Sequence, residues 1–184
     1  MPNTSDPRGA ADQPPPEPPH TAHDTGTTGA AGAPGPRLVR ELVARLTVFV
    51  GEPIVVGRTP RGLRRVIPLT GGTVTGPRVH GEVLPLGADW SLIREDGVPT
   101  VDATYLVRTD DGVVLSVTNS GALIDHGFVT TPRIEAPEGP YAWLNDAVLV
   151  GTLTPLTGAD TPSGVSLAFH RVTEHRAPEG RPEK

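Results

Sequence analysis

Three glycine-containing turns between runs of alternating apolar and polar residues constrain the fold of this chain most strongly. Gly71-Gly72, Asp96-Gly97 and Asp111-Gly112 each separate two such runs within residues 59–112. Asp-Gly between alternating runs is a strong hairpin signal, because a type I′ turn needs positive φ at both of its central residues. The segment therefore predicts a β-meander.

More strands are predicted on either side of the meander. Upstream, residues 37–46 fit a helix through their Leu spacing or a strand through their period of two. We predict a strand from about Leu42, because a lone helix of about ten residues is marginal and everything after it is β. The downstream strand candidates are residues 113–119, 128–134, 147–153 and 164–172. Roughly eight to ten short antiparallel strands predict an all-β barrel or sandwich.

The composition divides the chain into three parts. Residues 1–36 are rich in Pro and Gly and carry no bulky apolar residue after Met1, so we predict a disordered N-terminal tail. Residues 37–173 form the predicted β domain. Residues 174–184 are charged and interrupted by Pro, which predicts a flexible C-terminal tail.

Charge and residue usage exclude several classes of function. The net charge is -5 and the 16 Lys and Arg residues form no basic stripe, which disfavours a nucleic-acid partner. The absence of Cys excludes disulfides and thiolate chemistry, and the His residues lack metal-ligand spacing, so we expect neither a metal nor a cofactor. No apolar run is long enough to span a bilayer. These observations predict a soluble cytoplasmic protein with no membrane partner.

The hairpin register predicts a polar face. If both Asp-Gly pairs are two-residue loops, Asp89 lies opposite Thr104, and Thr104 lies opposite Asn119. The predicted polar face is Asp89, Ser91, Asp102, Thr104 and Asn119, and the opposite, more apolar face is Trp90, Leu92, Val101, Ala103, Tyr105 and Val107. The polar face lines either a cavity or the solvated exterior, and a one-residue bulge would exchange the two faces.

Several linked motifs resemble a known family. They are GLRRVIPLTGGT at 62–73, GPRVHGEVLP at 76–85, GADW at 87–90, Asp102 and Tyr105 before TDDG at 109–112, and YAWLN at 141–145 before Val150-Gly151. Over roughly residues 42–172 the chain resembles the uncharacterised DUF3237 family. The resemblance implies a closed, lipocalin-like antiparallel barrel with an internal pocket, and no general activity is assigned to the family. Members usually carry a longer insertion after Gly121, so one lip of the pocket is expected to differ here.

The resemblance favours a pocket location for Asp89 and Asp102. Desolvation and mutual repulsion would raise the pKa of one carboxyl, leaving an acid and a base on one wall. We therefore predict Asp89, Asp102 and Tyr105 as catalytic residues. The predicted ligand-binding residues are Arg65, Trp90, Thr104, Asn119, Trp143 and Asn145. In the alternative, the two carboxylates are satisfied by backbone amides and by Arg65 or Arg108 and contribute only to closure of the barrel.

Two functions from different classes follow from such a pocket. The first is a cofactor-independent enzyme of the isomerase, cyclase or lyase type, acting on a largely apolar small molecule in a biosynthetic pathway. The second is a non-catalytic carrier or sensor of the same kind of molecule. Two carboxyls in one cavity would favour the enzyme, and a single polar anchor would favour the carrier. A homodimer through residues 147–153 is a further expectation, because both alternating sets there are apolar.

Overall fold

The computed structural model describes residues 37–157 and 163–175, so the predicted tail at residues 1–36 lies outside them, as do residues 176–184. The predicted C-terminal tail began two residues too early, because Glu174 and His175 pair with Leu38 and Arg37 in the last strand. The described chain is all-β, with ten strands and one 3₁₀ helix at Ala142–Leu144. The strands are β1 (Arg37–Val50), β2 (Ile54–Thr59), β3 (Gly62–Thr75), β4 (Gly81–Asp89), β5 (Leu92–Ile93), β6 (Pro99–Thr109), β7 (Val114–Ile124), β8 (Gly127–Glu135), β9 (Leu149–Pro155) and β10 (Gly164–His175). No helix in these ranges is long and apolar enough to cross a bilayer.

All strand pairs are antiparallel and belong to one sheet. Its order is β1-β10-β9-β8-β7-β6-β4-β3-β2, and β5 joins β3 and β6. β1 pairs with β10 and also with β3, so that Leu46 lies opposite Leu167 on one side and Val74 on the other. β1 therefore pairs with strands from both ends of this order.

Two segments differ from their predicted form. β1 begins at Arg37 and not near Leu42, because pairing with β10 supplies backbone hydrogen bonds that a lone helix would have to provide for itself. Gly71-Gly72 was predicted as a turn, and this prediction is wrong because β3 runs through both residues. A Cβ on Gly72 would lie 2.1 Å from the Thr47 carbonyl oxygen. The glycine therefore allows β1 to approach β3 and does not reverse the chain.

The Asp-Gly turns lie where the sequence predicts them, but each loop has three residues. In the β5–β6 hairpin the Arg94 N–H donates to the Val98 carbonyl at 3.0 Å, and the Gly97 N–H donates back to the Arg94 carbonyl. The β6–β7 hairpin repeats this pattern around Thr109 and Val113, with a 2.8 Å bond from N–H to carbonyl. The two loop glycines have φ of 83° and 88°, as expected for a three-residue hairpin loop that ends in a left-handed residue.

This extra loop residue shifts the predicted register by one. Asp89 lies opposite Ala103 and not Thr104, and Ala103 lies opposite Asn119. Because side chains alternate along a strand, the shift moves part of the predicted polar face outward. The inner face carries Asp89, Ser91, Val101, Ala103, Tyr105 and Asn119, and the outer face carries Trp90, Asp102 and Thr104.

The interior has a packed end and an open end. The packed end holds the buried core around Val43, Val107, Leu115 and Phe169, and the 3₁₀ helix adds the fully buried Leu144. The open end holds a cavity.

The strand proposed for self-association lies inside the sheet. β9 is flanked by β8 and β10 and is not an edge. Leu149 and Gly151 are buried, whereas Val148 is 65% exposed. The outer face of this segment therefore presents Val148, and self-association through it stays a prediction.

Candidate functional site

A cavity of about 250 Å³ lies at the open end of the sheet. Most of its wall is apolar, and the apolar lining residues are Val48, Val50, Ile67, Leu69, Pro99, Val101, Ala103, Phe128, Leu153, Pro155, Val165 and Leu167. The polar lining residues are Arg65, Asp89, Ser91, Thr100, Tyr105 and Asn119. An apolar cavity with a few converging polar groups is the usual form of a small-molecule site.

Three of the polar residues form a group: Arg65 on β3, Asp89 at the end of β4 and Ser91 just after it. Arg65 and Ser91 bond to each other, and Asp89 bonds to the backbone of Asp102. The Arg65 guanidinium donates from Nη2 to the Ser91 hydroxyl at 3.3 Å, and the Arg65 backbone N–H donates to the Ser91 carbonyl at 2.9 Å. The Asp89 carboxylate accepts from the Asp102 backbone N–H at 2.7 Å. Ser91 is only 4% exposed. The group therefore holds a carboxyl and a guanidinium on one wall of the cavity.

Asp89 has the electrostatic setting of a proton-transfer group. Burial, the largest cause, raises the pKa of its carboxyl above the ordinary value of 3.8. The hydrogen bond from the Asp102 backbone lowers this pKa, the negative charge of Asp102 raises it, and the positive charges of Arg65 and Arg64 lower it. The net shift favours the protonated acid, so Asp89 can hold a proton closer to neutral pH than an exposed aspartate can.

Two buried polar groups on the same face have no partner. Neither the Tyr105 hydroxyl nor the Asn119 side-chain oxygen meets a hydrogen-bonding group in the described chain. Burial raises the pKa of Tyr105 above its ordinary 10.0, so its hydroxyl keeps its proton and can donate. Buried polar atoms are nearly always satisfied, so unpaired atoms on a cavity wall indicate a place where a ligand or water bonds.

The structure brings four predicted site residues together in this cavity: Arg65, Asp89, Tyr105 and Asn119. It does not place Asp102 there. Asp102 is exposed on the outer face, and only its backbone reaches Asp89. The expectation of two carboxylates in one pocket is therefore wrong, because the hairpin loops have three residues and not two.

The same shift takes Thr104 out of the cavity, and Trp90 lies outside it because it directly follows the inward-facing Asp89. Thr104 is exposed opposite Thr118, and the Trp90 side chain is 45% exposed. The Trp90 carbonyl accepts a hydrogen bond from Arg64, which fixes the chain just after β4. Both residues therefore lie beside the wall of the cavity but on its outer side.

Trp143 and Asn145 belong to the packed end and not to the cavity. The Trp143 ring lies against the guanidinium groups of Arg78 and Arg171, at 4.7 and 5.5 Å from the ring centroid. The Asn145 side chain accepts from the Ala136 N–H at 2.9 Å and donates to the Ala136 carbonyl at 3.0 Å. These contacts hold the 3₁₀ helix and its flanking loops against the core.

Ser91 and the apolar wall were not predicted as site residues. Ser91 was placed on the same face as Asp89, and its position two residues along the chain was the available signal. The apolar residues of β1, β9 and β10 reach the cavity only because β1 joins β10 to β3. No local sequence pattern predicts that long-range pairing.

Comparison with known proteins identifies the family. The family model described as "Protein of unknown function (DUF3237)" matches residues 39–126. A UPF0311 protein of Rhodopseudomonas palustris is 33% identical over 137 residues, which cover 64% of this chain and 88% of that protein. The "Hydroalkoxylation enzyme phnH" of Penicillium herquei is 30% identical over 102 residues, which cover 55% of this chain and 65% of that protein.

Solved structures share the fold. A β-barrel-like protein from Acinetobacter baumannii has a TM-score of 0.68 and 26% identity, covering 78% of this chain and all of that one. An enzyme from Penicillium herquei has a TM-score of 0.61 and 25% identity, covering 79% and 99%. The Rhodopseudomonas palustris protein RPA1785, whose function is unknown, has a TM-score of 0.67 and 32% identity, covering 75% and 99%. The chain therefore belongs to the DUF3237 family.

Proposed function

We propose that this protein is an enzyme that isomerises an unsaturated, largely apolar small molecule in a biosynthetic pathway, by moving a proton within the cavity. The observation that supports the proposal most strongly is the position of the Asp89 carboxylate in the cavity wall. Asp89 has the one carboxylate among the cavity-lining residues of the described chain, and burial raises its pKa. A positioned acid–base group of this kind contributes roughly 10²- to 10⁴-fold to a rate.

The reaction we favour is addition of a hydroxyl group across a carbon–carbon double bond of the same molecule. A relative from Penicillium herquei is named a hydroalkoxylation enzyme. In this step the Asp89 acid gives its proton to one alkene carbon, and the hydroxyl oxygen forms a bond to the other. The hydroxyl proton then returns to the Asp89 carboxylate. Substrate and product are isomers, and the step needs no oxidant or reductant.

The sheet supports this chemistry if it acts as a closed barrel. Pairing of β1 with both β10 and β3 gives the cavity a continuous backbone wall. The apolar side chains on that wall would exclude water and hold a folded substrate conformer. Tyr105 and Asn119 would orient the oxygen atoms of the substrate through their unpaired polar atoms.

A carrier or sensor is the second candidate. It is favoured by the mostly apolar lining and by the presence of one carboxyl where two were expected. Such a protein would bind the same molecule without converting it.

The decisive experiment compares Asp89→Asn with Asp102→Asn. Both changes remove a carboxylate of the same size, but only Asp89 faces the cavity. Turnover is measured on a panel of hydroxyalkenes beginning with 2-allylphenol, and NMR in D₂O follows the ring-closed product, which gains one deuterium on carbon. We expect Asp89→Asn to lower kcat by about 100-fold or more with binding within a few fold. Asp102→Asn removes a charge that raises the pKa of Asp89, but it leaves the carboxyl in the cavity, so it should change kcat by only a few fold. Tight binding of panel members without any turnover would favour the carrier.

A further inference from the structure

Arg65 brings an incompletely bonded cation to the cavity wall. Its backbone is fixed by the bond to Ser91, and its Nη2 donates to the Ser91 hydroxyl. Its Nε atom is buried and has no hydrogen-bond partner in the described residues. A guanidinium presents its donors as a planar fork, so the buried Nε leaves part of that fork unsatisfied. A buried, charged donor without an acceptor is costly, and a bound acceptor would remove the cost.

No carboxylate neutralises Arg65 in the described part of the chain. The salt bridges there join Arg78 to Glu41, Arg94 to Asp96 and Arg108 to Glu82. The acidic group that Arg65 influences in the cavity is Asp89, whose carboxyl is shifted toward its neutral form. Whenever Asp89 carries its proton, the positive charge of Arg65 is left without a counter-charge on this wall.

We propose that Arg65 and Ser91 form a subsite for an anionic oxygen of the bound molecule, either a carboxylate or a phenolate. The inference rests on the proposed function only in taking that molecule to be the substrate. Guanidinium donors match the paired oxygens of a carboxylate, and charge-assisted bonds of this kind are stronger than neutral ones. The Ser91 hydroxyl, 3.3 Å from Nη2, lies next to the same donors.

Asn119, at a distance from Arg65 on the cavity wall, requires a different chemical group on the ligand. Asn119 is 2% exposed, and its unpaired side-chain oxygen is an acceptor, so it requires a donor such as a hydroxyl. Asp89, Ala103 and Asn119 lie on one row across β4, β6 and β7, so strand spacing separates the first and last Cα atoms by about 10 Å. The small Ala103 side chain leaves room between them. The expected substrate therefore has an acidic oxygen at one end, an apolar body and a hydroxyl at the other.

Calorimetric titration with naphthalene probes tests this subsite without any need for turnover. 2-Naphthoate and 2-acetylnaphthalene have similar shapes, but only the first is an anion. We expect the unaltered protein to bind 2-naphthoate at least about tenfold more tightly than 2-acetylnaphthalene. 2-Naphthol tests whether the anionic oxygen can be a phenolate and not a carboxylate. A shift in the absorbance spectrum of 2-naphthol reports whether it binds as the phenolate. 6-Hydroxy-2-naphthoate should bind more tightly than 2-naphthoate, and Asn119→Leu should remove that gain.

The matched variants are Arg65→Met and Arg64→Met. Arg64 is the next residue along β3, but it bonds to the Trp90 carbonyl and does not line the cavity. Arg65→Met should abolish the preference for the anion, and Arg64→Met should keep it. Arg65→Lys retains the positive charge but removes the Nε donor, so it should weaken 2-naphthoate binding several-fold. This variant tests the subsite if Arg65→Met does not fold.

Two results would overturn the subsite. They are an unaltered protein that binds the neutral and anionic probes equally, and an Arg65→Met variant that folds and still prefers the anion. Either result would leave the Asp89 turnover experiment untouched. Conversely, an anion preference that depends on Arg65 would stand if no member of the hydroxyalkene panel were converted, and the protein would then be a carrier of organic acids.

Discussion

Replacing Tyr105 with phenylalanine should make the folded protein more stable. The Tyr105 side chain is 3% exposed, and its hydroxyl has no partner in the described chain. Folding therefore removes this hydroxyl from water without supplying a bond in return, at a cost of roughly 1–3 kcal/mol. The adjoining cavity is roomy enough to admit water, which would recover part of that cost. We expect Tyr105→Phe to raise the free energy of unfolding by about 1 kcal/mol.

Urea denaturation measures this change directly. With a slope of about 2 kcal/mol per molar urea, a gain of 1 kcal/mol raises the unfolding midpoint by about 0.5 M. The other tyrosine of the chain, Tyr141, is the matched control because its hydroxyl donates to the Asp111 carboxylate at 3.1 Å. Tyr141→Phe removes a made bond and should lower stability by up to about 1 kcal/mol. A Tyr105→Phe variant that loses about 1 kcal/mol would refute the reasoning, since its hydroxyl would then be well bonded in the empty protein.

Three further predictions concern packing, charge and a loop. A Cβ on Gly121 would lie 2.2 Å from the Val129 carbonyl oxygen, whereas Gly127 has nothing within 4 Å; in thermal melts Gly121→Ala should lose about 2 kcal/mol and Gly127→Ala almost nothing. The raised pKa of Asp89 means that the folded state binds more protons than the unfolded state. The free energy of unfolding should therefore fall as pH rises from about 3.8 through the folded-state pKa, and Asp89→Asn should flatten that part of the profile of stability against pH. Asn145→Ala removes the side-chain bonds that hold the loop after β8 and should cost about 1–3 kcal/mol in urea denaturation.

Each of these predictions has an outcome that contradicts it. Equal melting of the two alanine variants would mean that β7 and β8 can separate without cost. A pH profile that Asp89→Asn leaves unchanged would show that the carboxyl is hydrated in the folded protein. An Asn145→Ala variant of full stability would show that water replaces the lost bonds.

The turns were predictable from the sequence, and the number of residues in each loop was not. An Asp-Gly pair is compatible with a two-residue loop and with a three-residue loop that ends in glycine. The hydrogen bonds of Arg94 with Val98 and of Thr109 with Val113 decide between them, and they appear only once the strands are paired. Asp89 and Asn119 were grouped correctly because both loops shift by the same amount. Asp102 lies on the intervening strand β6 and therefore moved to the opposite face.

Long-range pairing explains the other differences. The Leu spacing of residues 37–46 is compatible with a helix, and only the neighbouring strands β10 and β3 make the extended form favourable. The two glycines of β3 lie in a local pattern typical of a turn, whereas their role is to admit the backbone of β1 at Gly72. In both cases the determining contact is made with residues distant in the sequence.

The odd length of the two hairpin loops limits how this site can evolve. β6 lies between the loops, and losing or gaining one residue in either of them would turn strand faces over, exposing Tyr105 or burying Asp102. Mutation can therefore vary the loop residues other than Gly97 and Gly112, whose positive φ favours glycine, but it can change the number of loop residues only in compensated steps. Natural insertions and deletions should accumulate elsewhere, for example at the β7–β8 turn, where the chain reverses at residues 125–126. Selection on the cavity would thus act on the length of two loops that lie outside its lining.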